Sequence, residues 1–183
     1  FELKDKNGPT EFVGYNNDKA EGKILEIIIK DKPVKELLEN QEGIIITNQT
    51  CFYAEAGGQV GDIGLIKSHN SIFEVSDTQK YFGDFYLHFG KVKEGKLISN
   101  QTAVLIVDKE HRKNVKANHS ATHLLHAALR ETLGKHVAQK GSYVGPERLR
   151  FDFSHNKAIQ KEELIKINLD INEIIKQNEK VST

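Results

Sequence analysis

The 183-residue chain balances 26 Lys+Arg against 26 Asp+Glu, giving zero formal net charge, and 38% of its residues are hydrophobic. That length buries a real core in one domain or two small ones. The charge balance excludes a globally basic, polyanion-binding protein, so any nucleic-acid contact must be local. A single cysteine, Cys51, excludes an internal disulfide and fits a reducing compartment, so a cytoplasmic location is expected. No apolar run approaches the roughly 18 residues a membrane span requires, and no signal-peptide pattern opens the chain. Methionine is absent throughout. The chain is therefore expected to be processed or excised from a longer protein, and its polar helical end favours excision.

The first hundred residues read as β-rich. Short apolar runs recur between turn signals at Lys23–Ile29, Gly43–Thr47, Ile63–Ile66, Ser71–Val75, Tyr81–Phe89 and Thr102–Val107. Their β-branched and aromatic content, with Gly and Asn-Asp punctuation, predicts a small antiparallel barrel or sandwich. Lys35-Glu36-Leu37-Leu38 fits either a strand or a helical turn. Within this half, Gly57, Gly58, Gly61 and Gly64 allow a tight loop that brings backbone close to another surface. Gln59 would present an amide from it. An ordinary glycine-rich hairpin with a solvent-facing glutamine has the same composition.

From Asp108 to Leu133 the pattern reads as one long helix, with Asp108 as N-cap and Gly134 as the stop. At about 100° per residue, His119, His123 and His126 fall close together. Ala121, Leu124, Leu125, Ala128 and Thr132 lie on the other side. Two imidazoles four apart can share one metal ion, although the spacing also fits a solvated helix face. Ser120-Ala121-Thr122 supplies no glutamate between them, which removes the general base of an H-E-x-x-H metalloprotease. Lys109, Arg112, Lys113 and Lys116 form a local basic patch, with a solvated helix end as the plainer reading. Leu149, Phe151 and Phe153 then alternate with Arg150 and Asp152 as in a half-buried strand, after a turn at Pro146-Glu147. Leu164, Ile167, Ile171, Ile174 and Ile175 predict a core-packing helix from about Lys161 to Lys180. The expected fold is α+β: a barrel over residues 1–107, then a long helix, a β-hairpin and a helix over 108–183.

Several stretches in this order resemble the editing region of alanyl-tRNA synthetases. They are Phe12-Val13-Gly14-Tyr15, the Gly57-Gly58-Gln59 signature within Phe52–Asp62, and Asn118-His119-Ser120-Ala121-Thr122-His123. Gln139-Lys140-Gly141-Ser142 and Arg148–His155 follow as the family's hairpin. Alanine stands at position 56 where serine is usual. The resemblance covers nearly the whole chain. It implies hydrolysis of tRNA(Ala) mischarged with serine or glycine at a zinc site, inside a parent enzyme that ligates alanine to tRNA(Ala) with ATP and Mg2+. It implies zinc ligation by His119 and His123, catalytic roles for Thr122 and Gln139 in the editing pocket, and contact of Gly57, Gly58 and Gln59 with the tRNA acceptor end. His126 matches no family ligand and is expected beside the site or at the surface. The family completes its zinc site with a later C-x-x-x-H, and no such pattern occurs here, since Glu55 stands at that spacing after Cys51. Weak zinc binding and poor activity of the isolated fragment are therefore expected. The alternatives are a stand-alone trans-editing deacylase and a non-catalytic tRNA-binding or scaffold module.

Overall fold

The computed structural model describes residues 8–81 and 83–178. The first half contains strands β1 (Glu11–Phe12), β2 (Lys19–Ile29), β3 (Lys32–Val34), β4 (Glu36–Leu38), β5 (Glu42–Thr47) and β6 (Gln49–Thr50). It continues with β7 (Gly64–Ser68), β8 (Ser71–Tyr81), β9 (Phe85–Glu94), β10 (Lys96–Ile98) and β11 (Thr102–Val107). Helix α1 (Lys109–Leu133), the hairpin β12 (Ala138–Val144) and β13 (Leu149–Ser154), and helix α2 (Lys161–Gln177) follow. The chain divides into two compact units, residues 1–56 with 60–112 and residues 57–59 with 113–183.

In the first unit, β2, β5, β9, β8, β7 and β11 pair antiparallel in that order, and β11 pairs back onto β2. This closes a six-stranded barrel and leaves its strands no free edge. The α+β architecture expected from the sequence is the one observed. Alternation sets which side chains fill the barrel: on β11, Ala103, Leu105 and Val107 are buried while their neighbours are more exposed. They join Ile24, Ile27, Ile45, Phe52, Ile66, Phe73 and Val75 in one apolar cluster. The ambiguous stretch at 35–38 is a strand: β4 pairs with β10 and sends Leu37 and Leu97 into the same core.

Among the described residues, the buried polar side chains of this unit are paired. His88 is fully enclosed, yet its Nδ1 lies 2.9 Å from the Ile45 carbonyl and its Nε2 lies 2.8 Å from Thr50 Oγ1. The carbonyl can only accept, so Nδ1 carries the proton and Nε2 accepts from threonine. Burial pushes the His88 pKa down to about 4, only partly opposed by the Ile45 hydrogen bond. Burial likewise pushes the Cys51 thiol up to about 11, keeping it protonated and inert.

Arg112 corrects the basic-patch reading. Its side chain is buried, ion-paired with Asp62 and with Asp18, and hydrogen-bonded to the carbonyls of Gly14, Asn17 and Cys51. A guanidinium spent on five acceptors inside the unit is not available to a phosphate. Lys109 also pairs with Asp18, at 3.5 Å, which leaves the patch to Lys113 and Lys116.

Helix α1 begins as the sequence predicts, with its first residues in the first unit and the rest, from Lys113, in the second. The His111 amide donates to Asp108 Oδ1 at 2.9 Å, an N-cap bond, and Gly134 closes the helix at φ +117°. Ala128 and Leu129 of α1, Val137 and Ile167 form a small core, flanked by Leu125, Leu133, Phe151, Phe153 and Ile171. Helix α2 departs from the stripe read in its sequence. Ile167 is buried and Ile171 packs beside it, but Leu164, Ile174 and Ile175 are 52%, 43% and 53% exposed. The helix ends in a left-handed Asn178, and the expected extension to Lys180 falls outside the described residues, as does Phe82 of the aromatic stretch. Among the described residues no helix is long and apolar enough to cross a membrane.

Candidate functional site

The site lies within the second unit and starts from α1. Val115, Thr122 and Leu129 are buried along one stripe, and Leu125 and Leu133 pack against the core beside it. At about 100° per residue, that stripe is centred about a quarter turn from His119 and His123. The two imidazoles therefore stand at the rim of the packed face, not opposite it as the sequence pattern alone suggests. His126 sits nearer the buried stripe, with its ring centroid 5.1 Å from that of Phe151. Its Nε2 is buried without a hydrogen-bond partner among the described residues.

His119 Nε2 and His123 Nε2 face each other at 3.0 Å. Adjacent turns bring residues four apart to this separation. On its other side, His119 Nδ1 lies 2.5 Å from Gln59 Oε1. Partial burial and the neighbouring His123 both lower the His119 pKa, favouring a neutral ring. Thr122 donates its hydroxyl to the Asn118 carbonyl at 2.8 Å, the ordinary back-bond of a helical threonine. Asn118 in turn donates to the Gly145 carbonyl at 2.7 Å, tying α1 to the β12–β13 turn.

The glycine loop is built against β12. Gly57 and Gly58 take φ +59° and +86°, which side-chain-bearing residues rarely adopt. A Cβ at Gly58 would collide with the Ser142 carbonyl. The Val144 amide donates to the Gly58 carbonyl at 2.8 Å, and Ser142 Oγ donates to the Gly57 carbonyl at 3.2 Å. Gln59 bridges to Val144 like a one-residue strand. Backbone bonds to β12 thus fix where the Gln59 side chain starts. Gln139 stands on β12 next to a register shift between Gln139 and Gly141.

These elements enclose a cavity of about 70 Å³, lined by His119, Thr122, His123, Gln139 and Gly57, with His126, Ser142, Val144 and Phe151 completing the wall. It has room for a handful of waters or a small acyl group. The structure therefore gathers His119, His123, Thr122, Gln139 and Gly57 around one cavity and places Gly58 and Gln59 on the same loop. Sequence reasoning missed Ser142, Val144 and Phe151. The sequence marks Phe151 only as part of a strand's buried face, and that alternation carries no sign of which cavity it walls.

Neutral imidazoles are natural zinc ligands, and a second partner on the remote nitrogen is the usual way of orienting one. The donor set fits zinc on those counts and falls short in number. Among the described residues no group of three or more His, Cys, Asp or Glu is placed to hold a metal. A structural zinc takes about four protein ligands and a catalytic one about three.

Comparison with known proteins defines the class. Residues 1–111 match the family described as tRNA synthetases class II (A), and the chain belongs to that family. Over its whole length it is 50% identical to the alanine–tRNA ligase of Parvibaculum lavamentivorans and 49% identical to that of Chelativorans sp.. It is 48% identical to that of Rickettsia bellii. The chain spans 21% of the length of each of these relatives. The family match ends before His119, whereas the full-length relatives cover the histidine helix and the hairpin as well.

Proposed function

We propose that this chain is the editing module of an alanyl-tRNA synthetase and hydrolyses the ester of tRNA(Ala) mischarged with serine or glycine. The observation that carries the reading is the facing pair His119 and His123, 3.0 Å apart, at a small polar cavity that also holds Thr122 and Gln139. Identity near one half with alanine–tRNA ligases along the whole chain supports the assignment to that parent. The parent would ligate alanine to tRNA(Ala) using ATP and Mg2+, in parts of the enzyme beyond this segment.

The reaction adds water across an ester. The water oxygen bonds to the acyl carbon, the bond from that carbon to the ribose oxygen breaks, and the ribose oxygen takes the proton. Free amino acid and uncharged tRNA result. His119 and His123 would hold zinc through Nε2, and bound zinc would supply a Lewis acid near the ester carbonyl. Zinc held by these two donors alone would bind weakly, so further donors are required for full affinity. Thr122 lines the cavity beside the pair, and its hydroxyl oxygen, whose hydrogen goes to the Asn118 carbonyl, would accept from a small amino acid carrying a hydroxyl. Gln139 offers an amide that can orient either the substrate amine or the attacking water. The loop at Gly57-Gly58-Gln59 would receive the acceptor end, its bare backbone allowing close approach. The cavity's size suits seryl and glycyl groups.

The test is release of serine from Ser-tRNA(Ala) with zinc present, by a synthetase carrying this segment and by the 183-residue chain alone. Activity in the synthetase that falls at least a hundredfold on His123→Ala supports the reading, with a weaker signal from the short chain. Undiminished release in the His119→Ala/His123→Ala double variant would refute it. Tight zinc binding by the short chain, lost in that double variant, would overturn the two-donor account of the metal site.

A further inference from the structure

Gln59 reaches the site from a loop that the backbone fixes elsewhere. The Gly58 carbonyl is held by the Val144 amide, the Gly57 carbonyl by Ser142 Oγ, and Gln59 itself is bridged to Val144. Neither glycine tolerates a side chain easily: both have positive φ, and Gly58 is packed against Ser142. A loop so constrained delivers its next side chain to a defined place. That place is 2.5 Å from His119 Nδ1.

The chemistry of this contact is one-directional. An amide oxygen can only accept, so the ring nitrogen facing it must carry hydrogen. Neutral imidazole holds one proton, and fixing it on Nδ1 leaves Nε2 as the acceptor for the Nε2–H of His123, 3.0 Å away. Free imidazole side chains in water favour the opposite tautomer, with the proton on Nε2. The contact therefore has to do work on the ring, and a charge-neutral acceptor does so without making the ring an imidazolium.

We propose that Gln59 is a positioning residue for His119: its side-chain carbonyl locks the Nδ1–H tautomer and so presents the Nε2 lone pair to the site. Its consequence for a metal or substrate rests on the editing reading, but the tautomer itself does not. The amide NH2 of Gln59 has no hydrogen-bond partner among the described residues, and it remains available to an oxygen of an incoming acyl or phosphate group. Gln59 then reports the arrival of substrate to a ring that would hold the metal.

The test uses the metal-free chain, labelled with 15N and studied above the histidine titration range. Long-range proton–nitrogen correlations separate a protonated ring nitrogen from one bearing a lone pair. The wild-type protein is expected to show His119 protonated on Nδ1. In Gln59→Met, which keeps the size and removes the acceptor, the ring should move substantially toward Nε2–H. In Gln59→Glu, which keeps an acceptor, Nδ1–H should persist. Unchanged backbone amide spectra away from residues 57–59 and 119 establish that each variant folds. Wild-type His119 protonated on Nε2, or a folded Gln59→Met with the wild-type tautomer, would overturn the proposal.

A second readout ties the tautomer to the site. Zinc affinity, measured by competition with a chromophoric chelator, should fall about 10–100-fold in Gln59→Met and recover in Gln59→Glu. Equal zinc affinity in all three proteins would overturn the metal consequence. Loss of the tautomer preference with no ester hydrolysis by any variant would count against the editing reading alone, so the two failures are distinguishable.

Discussion

Two histidines show how differently the two units use the same side chain. His88 is walled into the barrel, with Thr50 and the Ile45 carbonyl taking both of its nitrogens. It is neutral and has nothing left to bind. His119 stands at a helix rim, with one nitrogen held by Gln59 and the other turned to His123. In the barrel, polar groups exist to satisfy one another, as closed burial demands. In the second unit the facing Nε2 atoms of His119 and His123 partner only each other, at a small cavity. A buried imidazole closed in by fixed partners is a structural member, and exposed imidazoles whose Nε2 atoms face only each other at a cavity are candidates for chemistry.

The largest loss of stability is expected at Arg112. It belongs wholly to the barrel unit, where its side chain is 8% exposed and its partner Asp62 6%. Arg112→Met would leave the Asp62 carboxylate buried without its cation, so a loss of about 3–5 kcal/mol is expected in urea unfolding. An effect below about 1 kcal/mol, the range of a surface pair, would show that the buried pair does not hold this unit together.

The second effect is on pH dependence and comes from His88. The unfolded ring takes up a proton near its ordinary 6.5, whereas the folded one resists down to about 4. The unfolded state thus binds more protons between those values. Stability is full above pH 6.5, declines as the pH falls, and levels off below 4, with a loss of about 3 kcal/mol. Replacing His88 with glutamine should remove most of this slope, whatever it does to stability at neutral pH. A slope unchanged in His88→Gln would assign the acid sensitivity to other groups.

A smaller effect is expected at the loop. Gly58→Ala forces a Cβ against Ser142 at φ +86°, and should cost about 1–3 kcal/mol. The same change should move the His119 nitrogen resonances, because it displaces the residue before Gln59. A neutral Gly58→Ala with an unaltered His119 would mean that the loop is not the device that places Gln59. The smallest effect on stability belongs to the site itself. His119→Ala and His123→Ala remove exposed side chains and should each change stability by no more than about 0.5 kcal/mol. Their effect on ester hydrolysis should be large, and that contrast separates function from folding.

What was legible in the sequence was local. Helix α1 was framed by an N-cap and a glycine stop, and the structure places it at Lys109–Leu133 with the Asp108 cap bond made. The barrel's strands were marked by alternation and turn residues. The histidine pair followed from the helical repeat alone. What was not legible depends on chain-distant partners. Arg112 finds Asp62 fifty residues away and the Gly14 carbonyl ninety-eight away, so no window of neighbouring residues distinguishes it from the solvated lysines around it. Gln59 meets His119 across sixty residues, and only the resemblance placed them in one region. The apolar stripe of α2 had the right period, but period does not state how much surface is present to cover it. The core reaches Ile167 and Ile171 and stops.

The most direct measurement is the rate of serine release from Ser-tRNA(Ala) by a synthetase carrying this segment, compared with its His119→Ala/His123→Ala variant at equal folded concentration. Alanine charging by the same two proteins serves as the control. Loss of serine release by at least a hundredfold with charging intact is the result this account predicts. Serine release at the wild-type rate in the double variant would contradict it and return the facing histidines to the helix surface.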